Sequence, residues 1–126
     1  MFKKIASNHK QLELQLKKTG IFGSRYKPRV IWFGIGKNEY LNSLVQALLT
    51  DLEEVGFSCD RQNFVPHLSL GRMKGVKNKV AFQQAIDSVR DVLVQELKVR
   101  SFTLFESKLR PKGVVYNAIE VYKLLE

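Results

Sequence analysis

The chain has 126 residues, 44% hydrophobic and 26% charged, which is the size and usage of one globular domain that needs no disulfide staples. Twenty-one Lys and Arg stand against twelve Asp and Glu, a formal charge of +9. Disordered and collagen-like chains are excluded, and no run approaches the roughly 20 apolar residues of a membrane span.

The N-terminal stretch MFKKIASNHK lacks the apolar h-region of a signal peptide, and the single cysteine, Cys59, excludes an internal disulfide or a Cys-rich zinc site. A cytoplasmic protein that neither enters nor spans a membrane is the expectation. Leu12, Leu14 and Leu16 alternate with polar residues, the period-2 signature of a half-buried strand. Gly20, Gly23, Ser24 and Pro28 then read as loop punctuation. Val30 to Ile35 is a β-branched and aromatic run closed by Gly34 and Gly36, a more fully buried strand. Leu41, Leu44, Val45, Leu48, Leu49 and Leu52 recur at helical spacing, with Asn38 or Asn42 as candidate cap and Gly56 as a natural C′ residue.

Phe64 to Leu70 reads as a strand and Lys74 to Asn78 as a basic turn. Phe82, Ala85, Ile86, Val89 and Leu93 mark a second helix. Lys98 to Phe105 and Val114 to Val121 alternate across the short Pro111-Lys112-Gly113 connection, so they are expected to form an antiparallel hairpin. The order of strands and helices indicates an α+β fold of antiparallel sheets with helices packed on the outer faces.

The positive charge is clustered. Leu14 to Asn38 holds six basic residues and no acid, Arg61 to Ile86 five and none, Ser107 to Ile119 three and none. This layout suits a polyanionic partner such as RNA; the bland alternative is a basic, soluble surface.

Phe64-Val65-Pro66-His67-Leu68-Ser69-Leu70-Gly71-Arg72 is the most informative segment. In a strand, residues i and i+2 share a face, so His67 and Ser69 point one way and Leu68 and Leu70 the other, into the core. A hydroxyl can donate to a non-bridging phosphate oxygen while an imidazole moves a proton at an attacking or leaving oxygen. Arg72 either fixes phosphate charge or sits on the surface. Against this, a lone strand histidine is usually packed or exposed without chemistry. Cys59 has no partner histidine in a recognisable motif, and Gly34-Ile35-Gly36 lacks the rest of a dinucleotide fingerprint. No clustered His, Asp and Glu set suggests a metal or any other cofactor.

Arg29-Val30-Ile31-Trp32-Phe33-Gly34, then Phe64-Val65-Pro66-His67-Leu68-Ser69-Leu70-Gly71-Arg72, then Ser107-Lys108-Leu109-Arg110-Pro111-Lys112-Gly113-Val114-Val115-Tyr116 fall in one order over nearly the whole chain. Together they resemble the two-histidine phosphoesterase superfamily, within it the RNA 2′,3′-cyclic phosphodiesterases long called 2′-5′ RNA ligases. The resemblance implies a two-lobed fold, with residues 1–126 a single domain forming its C-terminal portion. It implies metal-independent hydrolysis of RNA 2′,3′-cyclic phosphate ends to 2′-phosphates, one histidine as general base and another as general acid. His67 and Ser69 are then the catalytic pair, with Ser in place of the family's usual Thr. Arg72, Arg29 and Tyr116 are the candidate substrate-binding residues; Tyr116 either lines the cleft or packs on its sheet, and Trp32 either stacks on a base or belongs to the core.

The family carries two His-x-Thr/Ser motifs, and this chain shows one. His9 is followed by Lys10 and Gln11, without the hydroxyl, and precedes the wrong strand, so it reads as a polar turn residue. The chain is therefore expected to lack the N-terminal part that carries the first motif. Three readings stand: a cyclic phosphodiesterase impaired by that loss, an inactive RNA-binding module that keeps one His-x-Ser grip, and a homodimer in which two copies bring both His67 residues to one cleft.

Overall fold

The computed structural model describes residues 1–23, 27–60 and 64–126. Ser24 and Arg25 of the expected loop, and Arg61, Gln62 and Asn63 before the histidine motif, lie outside the described residues. The elements in order are α1 (Phe2–Ser7), β1 (Leu12–Gly23), β2 (Pro28–Ile35), α2 (Glu39–Glu54), β3 (His67–Arg72), α3 (Lys79–Ser88), β4 (Leu93–Val99), β5 (Ser101–Arg110) and β6 (Gly113–Lys123). The result is an α+β fold with a four-stranded sheet in the order β3-β2-β1-β4 and a two-stranded sheet β5-β6.

The chain forms two compact units. One comprises Met1–Leu12, Glu39–Cys59 and Lys98–Glu126. It holds α1, α2 and the β5-β6 hairpin, which pairs without interruption from Phe105↔Ala118 to Arg110↔Gly113. The apolar stripe of α2 buries Leu44 fully, while Leu41, Val45, Leu48, Leu49 and Leu52 are half-buried. The hairpin leaves Phe105, Leu109, Val114, Val115, Ile119 and Val121 exposed. The helix α1 has no counterpart among the expected elements. His9 follows its Asn8 cap, and its Nδ1–H donates at 2.8 Å to the Ile5 carbonyl, which also accepts the Asn8 backbone N–H at 3.1 Å.

The other unit, Glu13–Asn38 and Asp60–Leu97, carries the larger sheet and α3. The β1 alternation is plain: Leu12, Leu14 and Leu16 are buried and Glu13 and Gln15 exposed. The expected loop from Lys18 to Gly23 is instead the second half of β1. An irregularity explains how it stays in the sheet. Leu16 pairs Ile35 and Thr19 pairs Phe33, so three residues on β1 match two on β2, with Lys18 at φ +68°. The extra residue shifts the inward position from Lys18 to Thr19, which is 6% exposed.

Three further boundaries differ. Strand β3 begins at His67 rather than Phe64, α3 stops at Ser88, and β4 and β5 are two strands broken at Arg100. Leu93, expected on the helix, begins β4. Leu68 and Leu70 are not in the core but 47% and 51% exposed. β3 is the edge strand, so nothing pairs beyond it in its own sheet.

Candidate active site

β2 and β3 run antiparallel, pairing Gly34↔His67, Phe33↔Leu68 and Trp32↔Ser69, then Ile31↔Gly71 and Val30↔Arg72. Leu70 has no partner, so β3 carries one extra residue there. This bulge decides the site. Directly paired residues share a face, as do residues two apart on β2. Gly34, Trp32 and Val30 therefore carry His67, Ser69 and Arg72 on their own face. Without the bulge Arg72, five residues after His67, would lie on the opposite face.

β1 completes this face, with Gly20 opposite Trp32 and Phe22 opposite Val30. Three rings gather there. Phe22 lies 5.3 Å from Trp32 and 5.0 Å edge-on from His67, and Trp32 lies 6.4 Å from His67. The indole spreads over Gly20, where a Cβ would come within 2.3 Å of it, and beside Gly34, where a Cβ would come within 3.0 Å. Both glycines are therefore needed as bare backbone. Trp32 is half-buried and joins the aromatic cluster beside the histidine, so it lies between the two readings given for it.

His67 is exposed, and its Nδ1–H donates to the Val65 carbonyl at 2.6 Å. A carbonyl only accepts, so the neutral ring carries its proton on Nδ1 and presents the Nε2 lone pair. Phe22 and Trp32 hold the ring edge-on. The outcome is an oriented imidazole with a hydroxyl two residues away on one exposed face.

Arg29 belongs to the same unit. Its carbonyl accepts the Met73 N–H at 2.8 Å, and its side chain lines a cavity with Arg72. Tyr116 belongs to the other unit, on β6 opposite Ser107, edge-on to Phe105 at 6.5 Å and 66% exposed. His9 is spoken for by the Ile5 carbonyl, and the Cys59 thiol lies 3.9 Å from the Leu49 carbonyl. Phe22 was missed by sequence reasoning because its segment looked like loop. The leucine period of β1 carries Phe22 to the face away from Trp32, and only the irregularity at Lys18 sets it beside Trp32.

A second cavity, about 760 Å³, opens beside Trp32 and is lined by Thr19, Gln83, Asp87 and Arg90 among others. Thr19 Oγ1 and Trp32 Nε1 are buried there without a hydrogen-bond partner. Among the described residues, no group of three or more His, Cys, Asp or Glu is placed to hold a metal ion, and no helix is long and apolar enough to cross a membrane.

Residues 1–111 match the family model of the 2′-5′ RNA ligase superfamily. The chain is 30% identical over 116 residues to an RNA 2′,3′-cyclic phosphodiesterase of Methanothermobacter thermautotrophicus, covering 92% of this chain and 62% of that protein. It is 32% identical over 109 residues to the enzyme of the same name from Methanocaldococcus jannaschii, covering 86% and 62%. A crystal structure from Thermus thermophilus superposes with a TM-score of 0.73 at 26% identity, covering 97% of this chain and 65% of that one. The chain thus spans about three fifths of the length of the curated relatives it matches.

Proposed function

The chain belongs to the 2′-5′ RNA ligase superfamily, and on that premise we propose that it hydrolyses 2′,3′-cyclic phosphate ends of RNA to 2′-phosphates through His67. The observation that carries this reading is the orientation of the imidazole: Nδ1 is held on the Val65 carbonyl, and Nε2 is the open lone pair on the face that Ser69 and Arg72 share. The names of the relatives supply the substrate class.

A water molecule gives its proton to Nε2 as its oxygen attacks phosphorus. The Ser69 hydroxyl donates to a non-bridging oxygen, and Arg72 and Arg29 lend positive charge to the RNA. The bond from phosphorus to the 3′ oxygen breaks, leaving a 2′-phosphate and a 3′-hydroxyl once that oxygen takes up a proton. No step is routed through a metal. The resemblance assigns the last proton to a second histidine. His9 is engaged at the end of α1 and does not fill that role.

The test is incubation with a 2′,3′-cyclic nucleotide and with cyclic-phosphate-ended RNA, chelator present. Formation of 2′-phosphate that His67→Ala lowers by about 10² to 10⁴ supports the reading. Turnover that needs a metal, or that His67→Ala leaves intact, overturns it. Tight RNA binding without turnover favours the inactive binding module instead.

The exposed apolar hairpin and the open β3 edge favour one further reading, that two copies pair and both supply His67. Sedimentation velocity decides it: a dimer whose dissociation on dilution lowers specific activity supports pairing, and an active monomer removes it.

A further inference from the structure

The cavity at the far end of β3 belongs to no part of the histidine chemistry. It measures about 500 Å³ and sits where β2 begins, β3 ends and α3 starts. Among the described residues, five cationic side chains line it, Lys27, Arg29, Arg72, Lys74 and Lys79, and no carboxylate does; the others are Pro28, Met73, Gly75 and Val76. Five like charges around one hollow repel one another and focus a positive potential into it. Lys79 is the first residue of α3, so the positive end of that helix adds to the field. The Met73 N–H to Arg29 carbonyl bond ties the two walls together, which makes the hollow a built feature.

Arg72 links this cavity to the histidine. The Leu70 bulge sets Arg72 on the face of His67 and Ser69, and because their partners Gly34 and Val30 lie four residues apart on β2, Arg72 sits roughly 13 Å along the sheet from His67. The other cations of the cavity follow Arg72 in the chain or stand at the start of β2, so the hollow lies at the opposite end of β3 from His67. We propose that the cavity is a second phosphate site, which takes a backbone phosphate of the same RNA some nucleotides before the cyclic end. The preferred substrate is then an oligoribonucleotide, and a cyclic mononucleotide uses only the histidine end. This deepens the proposed function and rests on it for the identity of the RNA end, while the cavity's affinity for backbone phosphate is read separately.

The experiment is fluorescence anisotropy of a labelled oligouridylate ending in 2′,3′-cyclic phosphate, titrated with the full chain at several salt concentrations. Each phosphate contact on a single strand contributes about 0.7 to the slope of log affinity against log salt. Lys74→Ala/Lys79→Ala removes two contacts, so the slope should fall by about 1.4, which is about 25-fold in affinity near 0.1 M salt and converges near 1 M. Lys112→Ala/Lys123→Ala removes the same net charge from the hairpin and should change the slope far less. Lys74→Gln/Lys79→Gln, which keeps the side-chain length, should repeat the loss if the alanine pair folds poorly. Wild-type chain should also bind the oligonucleotide more tightly than a cyclic mononucleotide competitor. An unchanged slope in both cavity variants, equal loss in the hairpin variant, or affinity independent of RNA length would each overturn the proposal. Absence of turnover leaves these readings intact and counts against the phosphodiesterase activity alone.

Discussion

Gly20→Ala is the sharpest probe of the site. An added methyl would lie 2.3 Å from Cζ2, 2.5 Å from Cη2 and 2.8 Å from Cε2 of Trp32. Ordinary carbon contacts fall at about 3.5–4.0 Å, so a rigid bicyclic ring must retreat by more than 1 Å. It cannot flex, and its retreat breaks the contacts with Phe22 at 5.3 Å and His67 at 6.4 Å. Overpacking of this kind costs about 1–3 kcal/mol, and two aromatic pairs at about 0.5–1.5 kcal/mol each give the same range. For a domain of this size, about 4 °C per kcal/mol converts that into a Tm lower by about 4–12 °C. Trp32 is the only tryptophan in the chain, so intrinsic fluorescence reports on this cluster alone. The variant should melt earlier and shift its emission to the red. Gly71→Ala is the control, since a Cβ there meets nothing within 4 Å. Unchanged emission together with an unchanged Tm for Gly20→Ala would refute the packing argument.

Thr19→Val replaces a buried, unpartnered hydroxyl by a methyl of nearly the same shape. It should raise stability by about 1 kcal/mol, read as a higher urea midpoint; a lower midpoint contradicts it. Gly113→Ala enters open space but at φ +131°, so the cost is backbone strain alone, about 1–3 kcal/mol by thermal melting. A neutral result there would mean the hairpin turn relaxes. His9→Gln loses the bond to the Ile5 carbonyl and should cost about 0.5–1.5 kcal/mol while leaving cyclic phosphate hydrolysis at the wild-type rate. A fall in rate on the scale of His67→Ala would return His9 to the chemistry.

Much of the fold is written in short-range pattern. Leu12, Leu14 and Leu16 announce a strand because burial on one face demands a two-residue period, and they are buried as that period requires. The leucines of α2 announce a helix by spacing, and Pro111-Lys112-Gly113 announces the hairpin because Gly113 tolerates the positive φ found there. His67 and Ser69 share a face for the same local reason. Where the reading erred, distant partners were responsible. Gly20 and Gly23 look like loop residues, yet Gly20 is in β1 because the Trp32 indole needs its missing side chain. Leu68 and Leu70 look like core residues, yet β3 is an edge.

The amino-acid order alone determines that Leu12 to Leu16 is extended, that the α2 leucines form a helix and that a hairpin closes the chain, where basic charge gathers, and that an imidazole and a hydroxyl sit two residues apart. Those properties derive from local periodicity and composition, which need no knowledge of neighbours. Only the tertiary structure decides that Phe22 and Trp32 frame His67 and that Arg72 joins the same face. Each depends on pairing between strands, and a single extra residue at Leu70 reverses the facing of Gly71 and Arg72 beyond it. No period within β3 encodes that residue's lack of a partner; the register with β2 does.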